Sequence, residues 1–373
     1  MNALIALAAG GTGGHLFPAE ALARALLERN CRVALVTDRR GQAFGDKLPD
    51  IALHRIRAGR FGAGLMSKVM AGAELALGTL ESHRLLRRLA PAAVVGFGGY
   101  PSVPPMLAAA RLGLPTLIHE QNAILGRANR LLAPRAKRIA TSFAEVGAIR
   151  EADRARIVET GNPVRPAIAT LRGTPYPTPS ADGPFEILVT GGSQGARVLS
   201  EVVPAALSQL PEPLRRRLRL TQQARAEDIE AVRRAHQASG VAAELATFFA
   251  DVPARLVRAH LVISRSGAST VAELAMIGRP AILIPYLQAA DDHQTANARA
   301  LEQAGGAWVM GQATITAGAL AEKIAALMAA PTRLAEAAAK AHGLGRPDAA
   351  RVLADLVLAL AKNGHPMPRK DAA

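Results

Sequence analysis

The chain has 373 residues, 50% apolar and 20% charged, which suits two domains with sizeable cores and excludes disorder as the dominant state. A single cysteine, Cys31, excludes an intramolecular disulfide and any multi-cysteine metal site, and suits a reducing compartment. The net charge of +15 is uneven: residues 1–165 carry 23 basic and 12 acidic side chains, residues 166–373 carry 22 and 18. A basic first half invites an anionic partner, whether nucleic acid, membrane or phosphorylated substrate, although 38 arginines against 7 lysines also fit a GC-rich coding bias.

Met1-Asn2 lacks a basic n-region and the apolar run Ala3–Ala9 ends in glycines, so no signal peptide is expected. No run of about 18 uncharged apolar residues predicts a membrane-spanning helix. Leu4–Ala8 reads as a strand, Gly10-Gly11-Thr12-Gly13-Gly14 as a loop, and Ala19–Glu28 as a helix, with Pro18 in its first turn. Arg32–Thr37, Ala93–Phe97, Pro115–Ile118 and Ile139–Ser142 read as buried strands, the last closing the first sheet.

The same grammar returns 181 residues later, with Ile187–Thr190, the loop Gly191-Gly192-Ser193-Gln194-Gly195 and a helix over Val198–Leu210. Strands at Leu218–Thr221, Leu261–Ser264 and Ala281–Ile284 follow, with helices at Thr270–Met276 and Gln294–Gln303. Strand–helix alternation in two similar halves predicts two Rossmann-like doubly wound α/β domains with parallel sheets. The double proline in Gly161–Pro166 and the aperiodic stretch 173–184 place a boundary there. The expected division is 1–165, 166–345, a helix within 346–364 that could pack back on the first domain, and a frayed tail at 365–373.

Ligands of such domains bind at the carboxyl ends of strands, where both glycine loops fall. Glycine lets a backbone approach phosphate closely, and the following helix N-terminus presents free N–H groups. The first loop lacks the G-x-G-x-x-G spacing of dinucleotide binders, and no G-K-[ST] follows either loop, which excludes a P-loop. His15, at the exit of the first loop, is a candidate general base. Further polar segments follow strands directly: Gly98–Ser102, His119-Glu120-Gln121-Asn122, Ser266–Thr270 and Asp291–Gln294. Asp291-Asp292 reads as a helix cap in preference to a metal site. Glu273 is expected in the first turn of its helix, either compensating the dipole or accepting ribose hydroxyls.

GGTGGHLFPAEALA (10–23), FGGYPSVPPMLAA (97–109), HEQNAILGRANRLLA (119–133), GNPVR (161–165), GGSQGAR (191–197), RSGASTVAEL (265–274) and DDHQTANA (291–298) resemble the MurG family. These are the UDP-N-acetylglucosamine:lipid I N-acetylglucosaminyltransferases of bacterial cell-wall synthesis. The motifs come in the family order and span nearly the whole chain. The resemblance implies a GT-B fold, with the two Rossmann-like domains facing a deep cleft. It places the UDP-sugar donor on the C-terminal domain, and the lipid acceptor and membrane on the N-terminal domain. Carried over residue by residue, it implies donor contacts from Ser193 and Arg165, uracil beside Phe249, ribose on Glu273 and sugar hydroxyls on Gln294. Thr12, Gly13, Gly14 and Asn122 complete the donor site from the first domain, and His15 matches the proposed base. No metal or cofactor is implied.

The implied reaction is an inverting hexosyl transfer to the C4 hydroxyl of MurNAc in lipid I, at the cytoplasmic face of the bacterial inner membrane by a peripheral protein. Arg55, Arg57, Arg60 and Lys68 around Phe61, Leu65 and Met66 read as the patch for an anionic membrane, or as a solvated loop and ordinary helix. A UDP-sugar epimerase of similar two-domain plan is the alternative. Nucleic acid is disfavoured as a partner, because aromatics are only 3% of the chain and no helix-turn-helix or zinc motif is visible.

Overall fold

Short runs rich in Val, Ile, Leu and Ala form strands that can be buried on both faces, which is what a parallel sheet under two helix layers requires. The computed structural model describes residues 3–10, 13–38, 51–59, 65–192 and 195–363, of which 65–69 by backbone alone. Among these, thirteen strands form two parallel sheets, in two units.

The first unit runs β1 (Leu4–Ala8), α1 (Gly13–Leu27), β2 (Arg32–Thr37), β3 (Ala52–Arg55), α2 (Leu65–Leu89), β4 (Ala93–Gly96), α3 (Val103–Arg111), β5 (Thr116–Glu120), α4 (Arg127–Leu132), β6 (Arg138–Thr141) and β7 (Ile157–Glu159). Its strand order is β3-β2-β1-β4-β5-β6-β7. Alternation along β1 sends Ile5 and Leu7 into one core, with Leu22 and Leu26 of α1. Ala6 and Ala8 enter the other, with Met106 of α3 and Leu132 of α4.

Two expectations are corrected here. The helix after the first glycine loop begins at Gly13, so Pro18 lies inside it and gives no N–H to the Gly14 carbonyl. Gly13 and Gly14 are poor helix formers, so local pattern places the start too late, and burial of Leu16 and Ala19 decides it. β6 does not close the sheet either, since β7 lies beyond it.

The second unit runs β8 (Phe185–Thr190), α5 (Arg197–Ser208), β9 (Leu218–Gln223), α6 (Ile229–Ser239), β10 (Ala243–Ala246), α7 (Val252–Arg258), β11 (Leu261–Ser264), α8 (Ala268–Ile277), β12 (Ala281–Leu283), α9 (His293–Gln303), β13 (Ala307–Val309), α10 (Ala317–Met328) and α11 (Pro331–Gly343). The order is β10-β9-β8-β11-β12-β13. Phe185, Ile187 and Val189 pack against α5 and α10. Fully buried Arg279 ties the ends of α7 and α8 together. It donates to the carbonyls of Leu256 at 2.9 Å, Val257 at 2.8 Å, Ile277 at 2.9 Å and Gly278 at 3.0 Å. Burial lowers its pKa to about 10, which leaves it charged at neutral pH.

A last helix, α12 (Ala349–Asn363), lays Leu353, Ala354 and Val357 against the α1 side of the first sheet. The first unit therefore comprises the residues up to Arg165 and those from Asp348 on, and the second Pro166–Pro347. In each sheet the winding direction reverses at one point, between β1 and β4 and between β8 and β11. Loops leaving the carboxyl ends of those strands flank the crevice where open α/β sheets take ligands. No helix among the described residues is long and apolar enough to cross a membrane.

Candidate functional site

In the first unit the reversal point is lined by the start of α1 and by Gly98-Gly99 after β4. Both glycines hold positive φ, 80° and 72°. They stand against the His15 ring: a Cβ added to Gly99 would meet it at 3.2 Å, and one added to Gly98 at 3.5 Å. A side chain at either position would therefore be strained and would crowd the imidazole.

The segment His119–Asn122 divides by the period-two alternation of a strand. His119 and Gln121 form one network. Gln121 Oε1 lies 3.0 Å from His15 Nδ1, and Gln121 Nε2 lies 2.9 Å from His119 Nδ1. His119 Nε2 reaches the Gly161 carbonyl at 3.1 Å. Burial pushes the His119 pKa down to about 4. Glu120 and Asn122 form the other network. Glu120 Oε1 accepts from the Asn122 backbone N–H at 3.0 Å and its Nδ2 at 3.1 Å. Glu120 Oε2 accepts from Gly126 N–H and Asn129 Nδ2, both at 2.8 Å. Glu120 is thus the organiser of the loop that carries Asn122. Arg165 sets its guanidinium over the Phe17 ring of α1, 5.2 Å from the centroid, two residues from His15.

In the second unit the loop after β8 closes on itself. A Cβ on Gly191 would lie 2.4 Å from the Ala196 nitrogen, so only glycine fits. Gln223, at the end of β9, clamps this loop: its Oε1 accepts from Thr190 Oγ1 at 3.0 Å and Gly191 N–H at 3.3 Å, and its Nε2 donates to the Gly192 carbonyl at 3.1 Å. α5 then starts without a side-chain cap.

After β11, α8 also starts without a side-chain cap and without an acid in its first turn. Neither its cap residue nor its first turn supplies an acceptor that would offset the positive dipole end. The buried Ser269 Oγ has no hydrogen-bond partner among the described residues. Glu273 is buried in the second turn of α8, which corrects the expectation of a first-turn acid, because the helix opens at Ala268. Ser266 Oγ donates to the Gln294 carbonyl at 2.8 Å, and Gln294 Oε1 accepts from Tyr286 N–H at 3.0 Å. That bond engages the amide oxygen of Gln294 and leaves its NH2 as the donor end of the side chain.

Asp292 occupies the position before α9 but makes no cap bond to a backbone N–H, contrary to the capping expectation; both Asp291 and Asp292 have positive φ. Its carboxylate instead accepts from Thr295 Oγ1 at 2.6 Å. Among the described residues no group of three or more His, Cys, Asp or Glu is placed to hold a metal ion. Phe249 is 8% exposed with Arg255 stacked 4.1 Å over its ring, while its neighbour Phe248 is 74% exposed. Thr12, Ser193, Arg60, Phe61 and the side chains of Leu65, Met66 and Lys68 lie outside the described residues. Arg57 is paired with Glu81 at 3.2 Å.

Sequence reasoning missed Gln121 as the partner of His15, His119 as the partner of Gln121, and Gln223 as the clamp of the second loop. The alternation within HEQN is the signal that separates the first two from Glu120 and Asn122. Nothing local marks Gln223.

Residues 5–141 match the glycosyltransferase family 28 N-terminal domain and residues 186–353 its C-terminal domain. A UDP-N-acetylglucosamine–N-acetylmuramyl-(pentapeptide) pyrophosphoryl-undecaprenol N-acetylglucosamine transferase of Rhodospirillum centenum is 60% identical, over 97% of this chain and 95% of its own. The same-named protein of Paramagnetospirillum magneticum is 58% identical, over 96% and 97%. The crystal structure of Acinetobacter baumannii MurG superposes with a TM-score of 0.78 at 32% identity, over 96% of this chain and 99% of that one. Two parallel-sheet Rossmann-like units make this a GT-B fold, and the chain belongs to the MurG family of N-acetylglucosamine transferases within glycosyltransferase family 28.

Proposed function

We propose that the chain transfers N-acetylglucosamine from UDP-N-acetylglucosamine to the C4 hydroxyl of MurNAc in lipid I, inverting the anomeric carbon and giving lipid II for peptidoglycan synthesis. The observation that carries the mechanism is the seat of His15 at the reversal point of the first sheet, with one ring nitrogen engaged by Gln121. The other nitrogen takes the acceptor's proton while O4 bonds to the anomeric carbon. The bond from that carbon to the β-phosphate oxygen breaks, and its electron pair leaves on UDP.

The second unit (Pro166–Pro347) is the donor-binding one. Developing charge on UDP is met by the uncapped start of α8 and by the second glycine loop with Ser193. Buried Glu273 takes the ribose, the NH2 of Gln294 reads sugar hydroxyls, and Phe249 lies beside uracil. From the first unit, Thr12, Gly13, Gly14, Asn122 and Arg165 contribute donor contacts. No cofactor takes part in these steps.

The first unit faces the lipid acceptor and the anionic cytoplasmic surface of the inner membrane. On α2, exposed Met70, Leu77 and Arg84 are spaced seven residues apart, as are exposed Leu80 and Arg87. Apolar side chains occupy the first turns of this side, with exposed Glu74 among them, and basic ones the last, an arrangement we set against an anionic headgroup layer.

Transfer of labelled N-acetylglucosamine to a soluble-chain lipid I analogue, with and without EDTA, tests the reading. Product in both supports it. Loss only with EDTA reopens Asp291 and Asp292 as metal ligands. Turnover of the nucleotide sugar alone favours the epimerase alternative, for which no observation here speaks. General-base help contributes ~10²–10⁴-fold, so His15→Ala is expected to lose about that much turnover with UDP affinity kept. Near-normal turnover removes His15 from the mechanism.

A further inference from the structure

We propose that Gln121 and His119 are positioning residues that place the proton of His15 on Nδ1 and leave Nε2 as the basic nitrogen. The proposal rests on the reading of His15 as the base. It follows from a chain of hydrogen bonds that can run in only one direction. The Gly161 carbonyl can only accept, so His119 Nε2, 3.1 Å away, carries the hydrogen. His119 is fully buried and neutral, with no second hydrogen, so its Nδ1 is an acceptor. The NH2 of Gln121 must therefore face that nitrogen, at 2.9 Å. Its other hydrogen goes to the His119 carbonyl at 3.0 Å, and a flipped amide would set oxygen against oxygen there. The Gln121 carbonyl oxygen is left facing His15 Nδ1 at 3.0 Å. An amide oxygen only accepts, so His15 donates from Nδ1 and its lone pair sits on Nε2.

The rest of the pocket agrees. A Cβ on Gly99 would meet His15 Nε2 at 3.4 Å, so the glycine pair leaves room around the nitrogen that must act. A ring free to exchange tautomers would present an N–H to the acceptor hydroxyl for part of the time, and in that form it cannot take the proton. Because the amide is neutral, it orients the ring without placing a negative charge beside it. The anchor at Gly161 lies far along the chain, after β7, so the tautomer is set by the tertiary fold.

The test is long-range proton–nitrogen NMR of the imidazoles in the nitrogen-labelled full chain at about pH 8.5, two units above the ordinary histidine pKa. His15→Ala assigns the signal. We expect His15 to carry its hydrogen on Nδ1. Gln121→Met, which has no donor and only a weakly accepting thioether, is expected to move the hydrogen toward Nε2. It should also lower kcat at least about tenfold, and no further than the ~10⁴ ceiling of the base itself, with the KM for UDP-N-acetylglucosamine unchanged. Gln121→Glu keeps an acceptor facing Nδ1 and should hold the Nδ1–H form, but its second oxygen then meets the His119 carbonyl and it adds a charge beside the ring, so kcat is not expected to recover with the tautomer. An Nε2–H signal in the unsubstituted protein overturns the proposal without any variant. So does retention of Nδ1–H in Gln121→Met, whatever happens to kcat. If His15→Ala keeps its turnover while the tautomer still follows Gln121, the base reading fails and the positioning of the ring stands.

Discussion

Glu120→Gln is expected to destabilise the first unit by about 3 kcal/mol, far more than its near-identical shape suggests. Each oxygen of Glu120 accepts two N–H groups, from Asn122 on one side and from Gly126 and Asn129 on the other. Whichever way a glutamine amide turns, its NH2 replaces an oxygen that two donors address. Two bonds to a charged acceptor are lost, each contributing about 1.5–3 kcal/mol. The amide will turn its NH2 toward Asn122, which is half-exposed and can rotate to water, because Asn129 is 1% exposed and cannot. Two bonds at the lower figure give about 3 kcal/mol. Hydrogen exchange of β5 peptides measures the first unit separately, and fluorescence of Trp308, the single tryptophan, reports the second as a control. The KM for the donor should rise as Asn122 is released. Opening free energies of β5 within about 0.5 kcal/mol of the parent chain would refute the argument, since that is the range of an ordinary surface substitution.

Acid should weaken both units. Burial depresses His119 and His236 from 6.5 to about 4, so the unfolded chain binds more protons between those values. Stability is full above pH 6.5 and falls toward pH 4, by at most about 3.5 kcal/mol per histidine, read as a drop in Tm with no matching loss above pH 7. Arg279→Lys should cost the second unit about 3 kcal/mol, because one ammonium cannot reach all the carbonyls that the guanidinium bridges; an unchanged Trp308 melting curve contradicts this. Leu77→Glu with Leu80→Glu should release the chain from anionic vesicles while solution transfer to a soluble acceptor persists. Unchanged co-sedimentation removes α2 as the membrane face.

The central strands were legible because burial on both faces leaves continuous apolar runs, as in Ala93–Gly96 and Leu261–Ser264. The edges were not. β3 and β10 are four residues each, only partly buried, and β7 and β13 are three residues long, so none has a run to see. The place of His15 at the reversal point of the first sheet was legible from the five glycine-rich residues before it. Its relay was not, because Gly161 is 146 positions away and only the folded sheet brings β5 between them. Glu120 carried a misleading signal: an acid among polar residues at a strand end reads as chemistry, yet all its acceptors are spent on its own loop. Glu273 was placed one turn too early because Gly267-Ala268 gives no sharp start signal, whereas the β11 terminus sets one.

The return of α12 to α1 has a consequence for biosynthesis. The first unit is encoded at both ends of the chain, so the ribosome delivers β1 and α1 first and the helix that covers them last. The second unit, contiguous from Pro166 to Pro347, can finish folding while the first still lacks one wall of its core. Until Leu353, Ala354 and Val357 emerge, the apolar side of α1 stays open to water or to a chaperone. A stop codon just past Pro347 would therefore spare the later-made unit and expose the one made first.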